Sequence, residues 1–257
     1  MIERDVEKAI LEGVPEAPRA AKKSDSSDAF HCEKHSQIRK LIAKSMSQSL
    51  TTMAQLTLNT SFDATAIMNL RKRLKAESGD AAPTLGDMVL CAVSRTLLAH
   101  AGLNAHYDDE KMKYFHHVNL GVAIDTPRGL MVPTLFGADE MTLAQIAAGV
   151  RTLAENCRKG SVSPDVLKDG TFTVTNLGAL GIESFTPVIN PPQTAILGVC
   201  GITRRVRDFS SGGIELYSAM GLSLTIDHRA IDGAPAAKFL QDLCKTLEKF
   251  IYNNYNN

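Results

Sequence analysis

Met220, Leu222, Leu224 and Ile226 alternate with Gly221, Ser223 and Thr225, and the alternation stops at Asp227-His228. A period of two puts the four large side chains on one face of a strand, so the fold must supply a sheet with one side against a core. Within a few residues the period lengthens. Phe239, Leu240, Leu243, Leu247, Phe250 and Ile251 fall on one stripe of a long closing helix. The same two periods recur upstream. Helices are expected over residues 37–50 (apolar side Ile38, Leu41, Ile42 and Met46), around Ile67, Leu70 and Leu74, and over 85–98. Another runs from Thr142, whose hydroxyl forms a capping box with Gln145, to Gly160. Strands are expected over 56–62, 171–175, 195–201 and 213–225, the last two joined through Ser210-Ser211-Gly212-Gly213. Extended runs over 118–125 and 130–135 flank Thr126-Pro127-Arg128-Gly129, which supplies the turn of a hairpin. Residues 77–83 read as a loop. Strict strand-helix-strand alternation is missing, so the expected fold is α/β, a mixed β-sheet with covering helices.

The 257 residues carry 28 basic and 28 acidic side chains, which gives no global pull toward nucleic acid or an anionic membrane. No apolar run is long enough to cross a bilayer, and the start lacks the basic-then-apolar order of a signal peptide. Cys32, Cys91, Cys157, Cys200 and Cys244 are scattered and include no C-x-x-C. That pattern favours a reducing compartment, here the cytoplasm, over a disulfide framework or a cysteine zinc site. Near the start, Ile2, Val6 and Ile10 mark a short helix that Gly13 would stop. It cannot bury its stripe alone, so residues 1–13 are expected to be the tail of a domain lying upstream. Residues 14–35, centred on Ser24-Asp25-Ser26-Ser27-Asp28, read as a flexible linker. The main domain is expected over 36–257.

The stretch most suggestive of chemistry is Asp227-His228-Arg229-Ala230-Ile231-Asp232-Gly233. It places a histidine where a strand stops and a helix is about to start, and an imidazole can take a proton from a thiol near neutral pH. On spacing alone the plainer reading is a structural histidine, with Asp232 as the N-cap of the closing helix.

Resemblance changes that balance. The D-H-R-x-x-D-G run resembles the signature of the acyltransferase component of 2-oxo acid dehydrogenase complexes. So do Gly170-Thr171-Phe172-Thr173-Val174-Thr175-Asn176-Leu177-Gly178 and Asn190-Pro191-Pro192-Gln193-Thr194-Ala195-Ile196-Leu197 upstream of it. Val122-Ala123-Ile124-Asp125-Thr126-Pro127-Arg128-Gly129-Leu130-Met131-Val132-Pro133 and Arg39-Lys40-Leu41-Ile42-Ala43-Lys44-Ser45-Met46 fit as well, in the family's order. The resemblance runs from about Ser36 to the C-terminus. It implies a chloramphenicol acetyltransferase-like fold, trimeric, with trimers meeting in a cage.

It also implies roles. His228 becomes the general base that deprotonates the thiol of coenzyme A or dihydrolipoamide. Thr175, where the family commonly has serine, becomes the hydroxyl that stabilises the tetrahedral oxyanion, supplied across a subunit interface. Without the resemblance, Thr175 is an ordinary β-branched strand residue. Asp232 matches the family's acid, and in the related chloramphenicol enzymes that acid pairs with an arginine, here Arg39. Asp232 is therefore expected to support the turn carrying His228. Arg71, Thr84, Asp125 and Asn176 match positions lining the coenzyme A channel, although Arg71 is equally readable as one solvated charge in Arg71-Lys72-Arg73.

Lipoamide would come from a lipoyl domain not present in the chain. The implied partners are the decarboxylase and dihydrolipoamide dehydrogenase components, and the apolar closing helix is the expected contribution to self-assembly. No metal is expected at His116-His117, read as strand neighbours pointing to opposite faces, or at His31-Cys32-Glu33-Lys34-His35 in the linker. Two rival readings stay open: a stand-alone chloramphenicol-type acetyltransferase and a non-catalytic scaffold subunit.

Overall fold

The two residue periods sort into a mixed sheet and a helical layer. The structure, a computed structural model, describes residues 30–208 and 212–251. The chain divides into two units, Met1–Ser36 and Gln37–Asn257. The expected helix over 2–12, the linker through residue 29, and Ser210 and Ser211 of the expected joint lie outside the described residues. In the first unit, residues 30–36 form neither helix nor strand.

The second unit runs α1 (Gln37–Thr52), β1 (Gln55–Asp63), α2 (Thr65–Ser78), α3 (Leu85–Leu97), β2 (Ala105–Tyr107), β3 (Met112–Tyr114), β4 (Leu120–Val122), β5 (Thr134–Leu135), α4 (Leu143–Lys159), β6 (Phe172–Asn176), β7 (Ala195–Asp208), β8 (Ile214–Asp227) and α5 (Gly233–Glu248). Six strands make one sheet in the order β1-β8-β7-β6-β4-β5, and β2 pairs with β3 apart from it. Only β7–β6 and β6–β4 are parallel, which is the mixed sheet expected.

Alternation divides that sheet into two unlike faces. Leu58, Leu224, Leu197 and Val174 share one row, next to Phe62, Phe172, Phe239 and Leu243 in the core under the helices. Fully burying each such side chain contributes about 1.5–3 kcal/mol. The opposite face carries hydroxyls and small residues. Asn59, Ser223, Gly198 and Thr175 form one row, and Thr57, Thr225, Ile196 and Thr173 the next. The Ser223 hydroxyl donates to Asn59 at 2.7 Å and Thr57 pairs with Thr225 at 2.8 Å, so the buried polar groups are satisfied. Part of the segment between β6 and β7 lies on this face. A Cβ at Gly198 would come within 2.5 Å of the Phe185 ring, so only glycine lets that segment approach.

The capping box Thr142/Gln145 forms as expected, and α4 ends at Gly160 in the left-handed region with φ 74°. The Arg128 guanidinium donates to the Lys159 carbonyl there at 3.1 Å. The expected hairpin exists as short β4 and β5 plus an isolated bridge from Ile124 to Met131. It is interrupted at Pro133, which has no N–H to give.

Four expectations need correction. His116 and His117 lie in a bend rather than a strand. β7 extends seven residues beyond the expected end at 201, forming a long ribbon with β8. Phe250 and Ile251 fall beyond α5. The apolar side of α5 is not an assembly surface either, because Phe239, Leu240, Leu243 and Leu247 are buried within this chain. Exposed large apolar side chains are found instead on α1, at Leu41 and Leu50, and on the ribbon, at Val206, Ile214 and Leu216.

Candidate functional site

The strand β8 delivers His228 onto a tight turn. The Asp227 N–H donates to the Thr194 carbonyl at 2.8 Å and the His228 N–H to the Ala54 carbonyl at 2.8 Å. The Ala230 and Ile231 N–H groups return to the Asp227 carbonyl at 2.9 and 3.0 Å. The side chain that anchors the turn is Asp227, 0% exposed. Its Oδ2 accepts from Arg229 Nη2 at 2.8 Å, and both its oxygens accept from Nε at 3.1 Å. Its Oδ1 also accepts the backbone N–H groups of Arg229 and Ala54, at 3.1 and 3.3 Å. Hydrogen bonding to Asp227 raises the Arg229 guanidinium above its already high range. The imidazole of His228 is left 45% exposed.

Asp232 plays a lesser part than the resemblance implied. It occupies the N-cap of α5, but its side chain makes no capping bond. It is 84% exposed, 3.7 Å from His228 Nδ1, too far for a hydrogen bond. The expected ion pair between Asp232 and Arg39 is not formed; the ionisable side chain near Asp232 is that of His228. The Arg39 guanidinium lies instead against Gly129, within 3.4 Å of where a Cβ would stand. The turn's support is thus Asp227 with Arg229, both inside the recognised motif but given no role from sequence. The available signal was an aspartate and an arginine two apart flanking the histidine.

Thr175 is half-buried on β6. The neighbouring Thr173 hydroxyl is committed to Gln193 at 2.6 Å, whereas that of Thr175 has no partner among the described residues. The register places Thr175 level with Gly198, and Gly198 level with Ser223. His228 is five residues beyond Ser223, immediately after the end of β8. Five residues of strand are about 16 Å and two strand spacings about 10 Å, so the two Cα atoms are roughly 19 Å apart. A base and an oxyanion donor must each come within about 3 Å of the reacting atoms. The two residues cannot do that within one chain.

The four coenzyme A candidates are divided between two clefts that share Thr84 and Asn176. Arg71, Thr84 and Asn176 line one cleft of about 670 Å³ together with Gly86, Cys200 and Met220. Thr84, Asp125 and Asn176 line a second, of about 450 Å³, with Arg158. Both volumes fall within the range of ligand pockets. Arg158, in the last turn of α4, was not singled out from sequence, where it reads as a favourable charge at a helix end. Thr84 is less free than expected. It caps α3, accepting from the Asp87 N–H at 3.2 Å and donating its hydroxyl to the Asp87 carboxylate at 2.8 Å.

Two thiols, Cys91 buried and Cys244 half-buried, are unsuited to carrying an acyl group. Burial pushes Cys91 and Cys244 up to about 11, leaving little thiolate near neutrality. In the first unit, His31 makes an exposed contact with Glu33 at 3.5 Å, and no helix gathers the His31–His35 side chains.

The chain matches the family model described as 2-oxoacid dehydrogenases acyltransferase (catalytic domain) over residues 28–252. It is 38% identical over 215 residues to the dihydrolipoyllysine-residue acetyltransferase component of the acetoin cleaving system of Bacillus subtilis, covering 82% of this chain and 54% of that one. The chain spans about half the length of the curated relatives it matches. Among solved structures it is similar to Azotobacter vinelandii dihydrolipoamide acetyltransferase, in work on a serine, a histidine and an asparagine in the catalytic mechanism. There the TM-score is 0.81 at 28% identity, covering 92% of this chain and 98% of that one. The cubic core of a pyruvate dehydrogenase multienzyme complex gives the same TM-score, identity and coverage. A chloramphenicol acetyltransferase, at 13% identity and TM-score 0.53 over 79% of this chain and 94% of that one, shares the fold alone.

Proposed function

Because the chain belongs to the 2-oxoacid dehydrogenase acyltransferases, matched in their catalytic domain, we propose that it transfers an acetyl group between coenzyme A and dihydrolipoamide. The observation that carries the reading is the half-exposed His228 imidazole on a turn anchored by the fully buried Asp227.

His228 takes the proton of the attacking thiol, and the sulfur adds to the thioester carbonyl. Thr175 donates its hydroxyl to the oxygen as it gains charge. Collapse breaks the other carbon–sulfur bond, and the imidazolium returns its proton to the departing sulfur. Arg71 and Arg158 suit the phosphates of coenzyme A, and Asp125 and Asn176 its hydrogen-bonding parts.

The separation of Thr175 from His228 along the sheet supports a site completed by a second subunit, and so a trimer, with trimers assembling further into a cage. The exposed apolar side chains of α1 and the β7–β8 ribbon support the same conclusion. Residues 36–257 are the catalytic domain in this reading. A lipoyl domain brings the dihydrolipoyl group, and the decarboxylase and dihydrolipoamide dehydrogenase components are the working partners. The free cysteines and the lack of any helix able to cross a membrane among the described residues are compatible with a cytoplasmic setting.

The decisive experiment mixes two dead subunits. His228→Ala alone should lower kcat by about two to four orders of magnitude, and Thr175→Val alone should also inactivate. Co-refolded at equal amounts, any mixed trimer regains one intact interface of three, so the mixture should recover about a quarter of wild-type acetyl transfer. If mass spectrometry shows mixed trimers and no activity returns, the shared site is refuted. A folded His228→Ala with near-normal turnover refutes the base.

A further inference from the structure

Arg229 reaches beyond the turn it stabilises. Its guanidinium carbon lies 4.6 Å from the centre of the Tyr107 ring, and its Nη1 stands 3.4 Å from Asp109. Both partners belong to the β2–β3 hairpin, to which the proposed reaction gives no task. The hairpin is firmly built. The Tyr107 N–H donates to the Pro192 carbonyl at 3.0 Å, and the Asp108 N–H donates to the Lys111 carbonyl at 3.1 Å across the tip. The Asp108 carboxylate accepts from the N–H groups of Glu110 and Lys111, each at 3.0 Å.

We propose that Tyr107 is a positioning residue for His228, acting through Arg229 and Asp227. This rests on the reading of His228 as the base. The guanidinium is planar. It holds the buried Asp227 carboxylate through Nε and Nη2, while its carbon lies over the Tyr107 ring, which limits its swing. The Arg229 side chain is 31% exposed, so without the ring it is free to swing toward water. Asp227 would then lose its firmest partner, and the turn carrying the imidazole would loosen. Of the two hairpin contacts the ring matters more. The Asp109 side chain is 91% exposed, where water and salt screen an ion pair. No hydrogen bond or ring contact joins Tyr107 to His228 among the described residues, so its effect is exerted through Arg229.

The test measures kcat, KM for acetyl-coenzyme A, and thermal unfolding in a set of variants, with free dihydrolipoamide as acceptor. Tyr107→Leu should lower kcat about five- to thirtyfold and leave KM within about twofold, since the substrate clefts are untouched. Tyr107→Phe keeps the ring and should retain activity, as should Asp109→Asn. Where leucine unfolds the hairpin, Tyr107→Met fills similar space flexibly and should show the same fall. Arg229→Lys removes the planar group, so adding Tyr107→Leu in that background should cost less than about twofold more.

Wild-type kcat in Tyr107→Leu overturns the proposal. So does phenylalanine failing as badly as leucine, or an undiminished further loss in the Arg229→Lys background. Failure of the underlying reading is separate: active His228→Ala removes the base assignment however the Tyr107 variants behave.

Discussion

Of the two acids in the histidine motif, Asp227 should be the one whose charge matters to the fold, and Asp227→Asn isolates that charge. Asparagine keeps the shape, and its carbonyl can still accept the backbone N–H groups of Arg229 and Ala54. Its amide then replaces Oδ2 and meets Arg229 Nη2 at the 2.8 Å contact, donor against donor. A hydrogen bond to a charged group contributes about 1.5–3 kcal/mol. The larger loss of about 3–5 kcal/mol for breaking a buried pair is not reached, because the Arg229 side chain is 31% exposed and regains water. The expected cost is therefore about 2 kcal/mol. For a chain of this size that lowers Tm by about 4–8 °C. A displaced imidazole should also lower kcat about tenfold or more. Asp232→Asn should leave Tm within about a degree, its side chain being 84% exposed and beyond hydrogen-bond reach of His228. Thermal unfolding at one fixed protein concentration, paired with steady-state acetyl transfer, reads both effects. Wild-type Tm and kcat in Asp227→Asn, or a larger loss in Asp232→Asn, would refute the assignment of the anchor.

Two further outcomes are expected. Thr175→Val keeps shape and removes the donor, so kcat should fall about a hundred- to a thousandfold, whereas Thr175→Ser should retain or raise it; a valine variant as active as the parent makes Thr175 an ordinary strand residue. Burial lowers the pKa of His106 below its ordinary 6.5. The fold therefore favours the neutral ring, and its contribution is whole above pH 6.5 and is lost as pH falls from there through the folded value. His106→Gln should flatten that limb of a Tm-against-pH curve, and a parent curve already flat there would contradict the assignment.

What the sequence disclosed about the fold was whatever residues settle with near neighbours. The Met220–Ile226 alternation located β8, and Thr142 with Gln145 located the start of α4, because a pleat and a capping box are each decided within a few positions. The β2–β3 hairpin escaped because its strands are three residues each and mixed in polarity. Tyr107 is held there by Pro192 and Arg229, far away in sequence. The outer half of β7 escaped for a related reason. Arg204, Arg205 and Arg207 read as solvated charge, yet Arg207 is tied to Glu215 and Asp63 at 2.7 and 2.8 Å once β8 and β1 lie beside it.

The site shows the same division. His228, the proposed base, stood out because its motif occupies one short stretch. Which acid supports it did not, because Asp227 and Asp232 differ in burial rather than in type. Burial at 227 depends on Ala54, at the α1–β1 junction, returning to the end of β8. Arg71, Thr84, Asp125 and Asn176 carry no mutual signal in their spacing, and only the packing of α2, α3 and β6 draws them to adjoining clefts. Thr175 marks the limit of reading from one chain. No internal spacing can express a partnership with His228 when the sheet itself keeps the two roughly 19 Å apart. In the proposed reading, the sheet that shapes each half of the site also requires the halves to meet between subunits, and catalysis then depends on assembly.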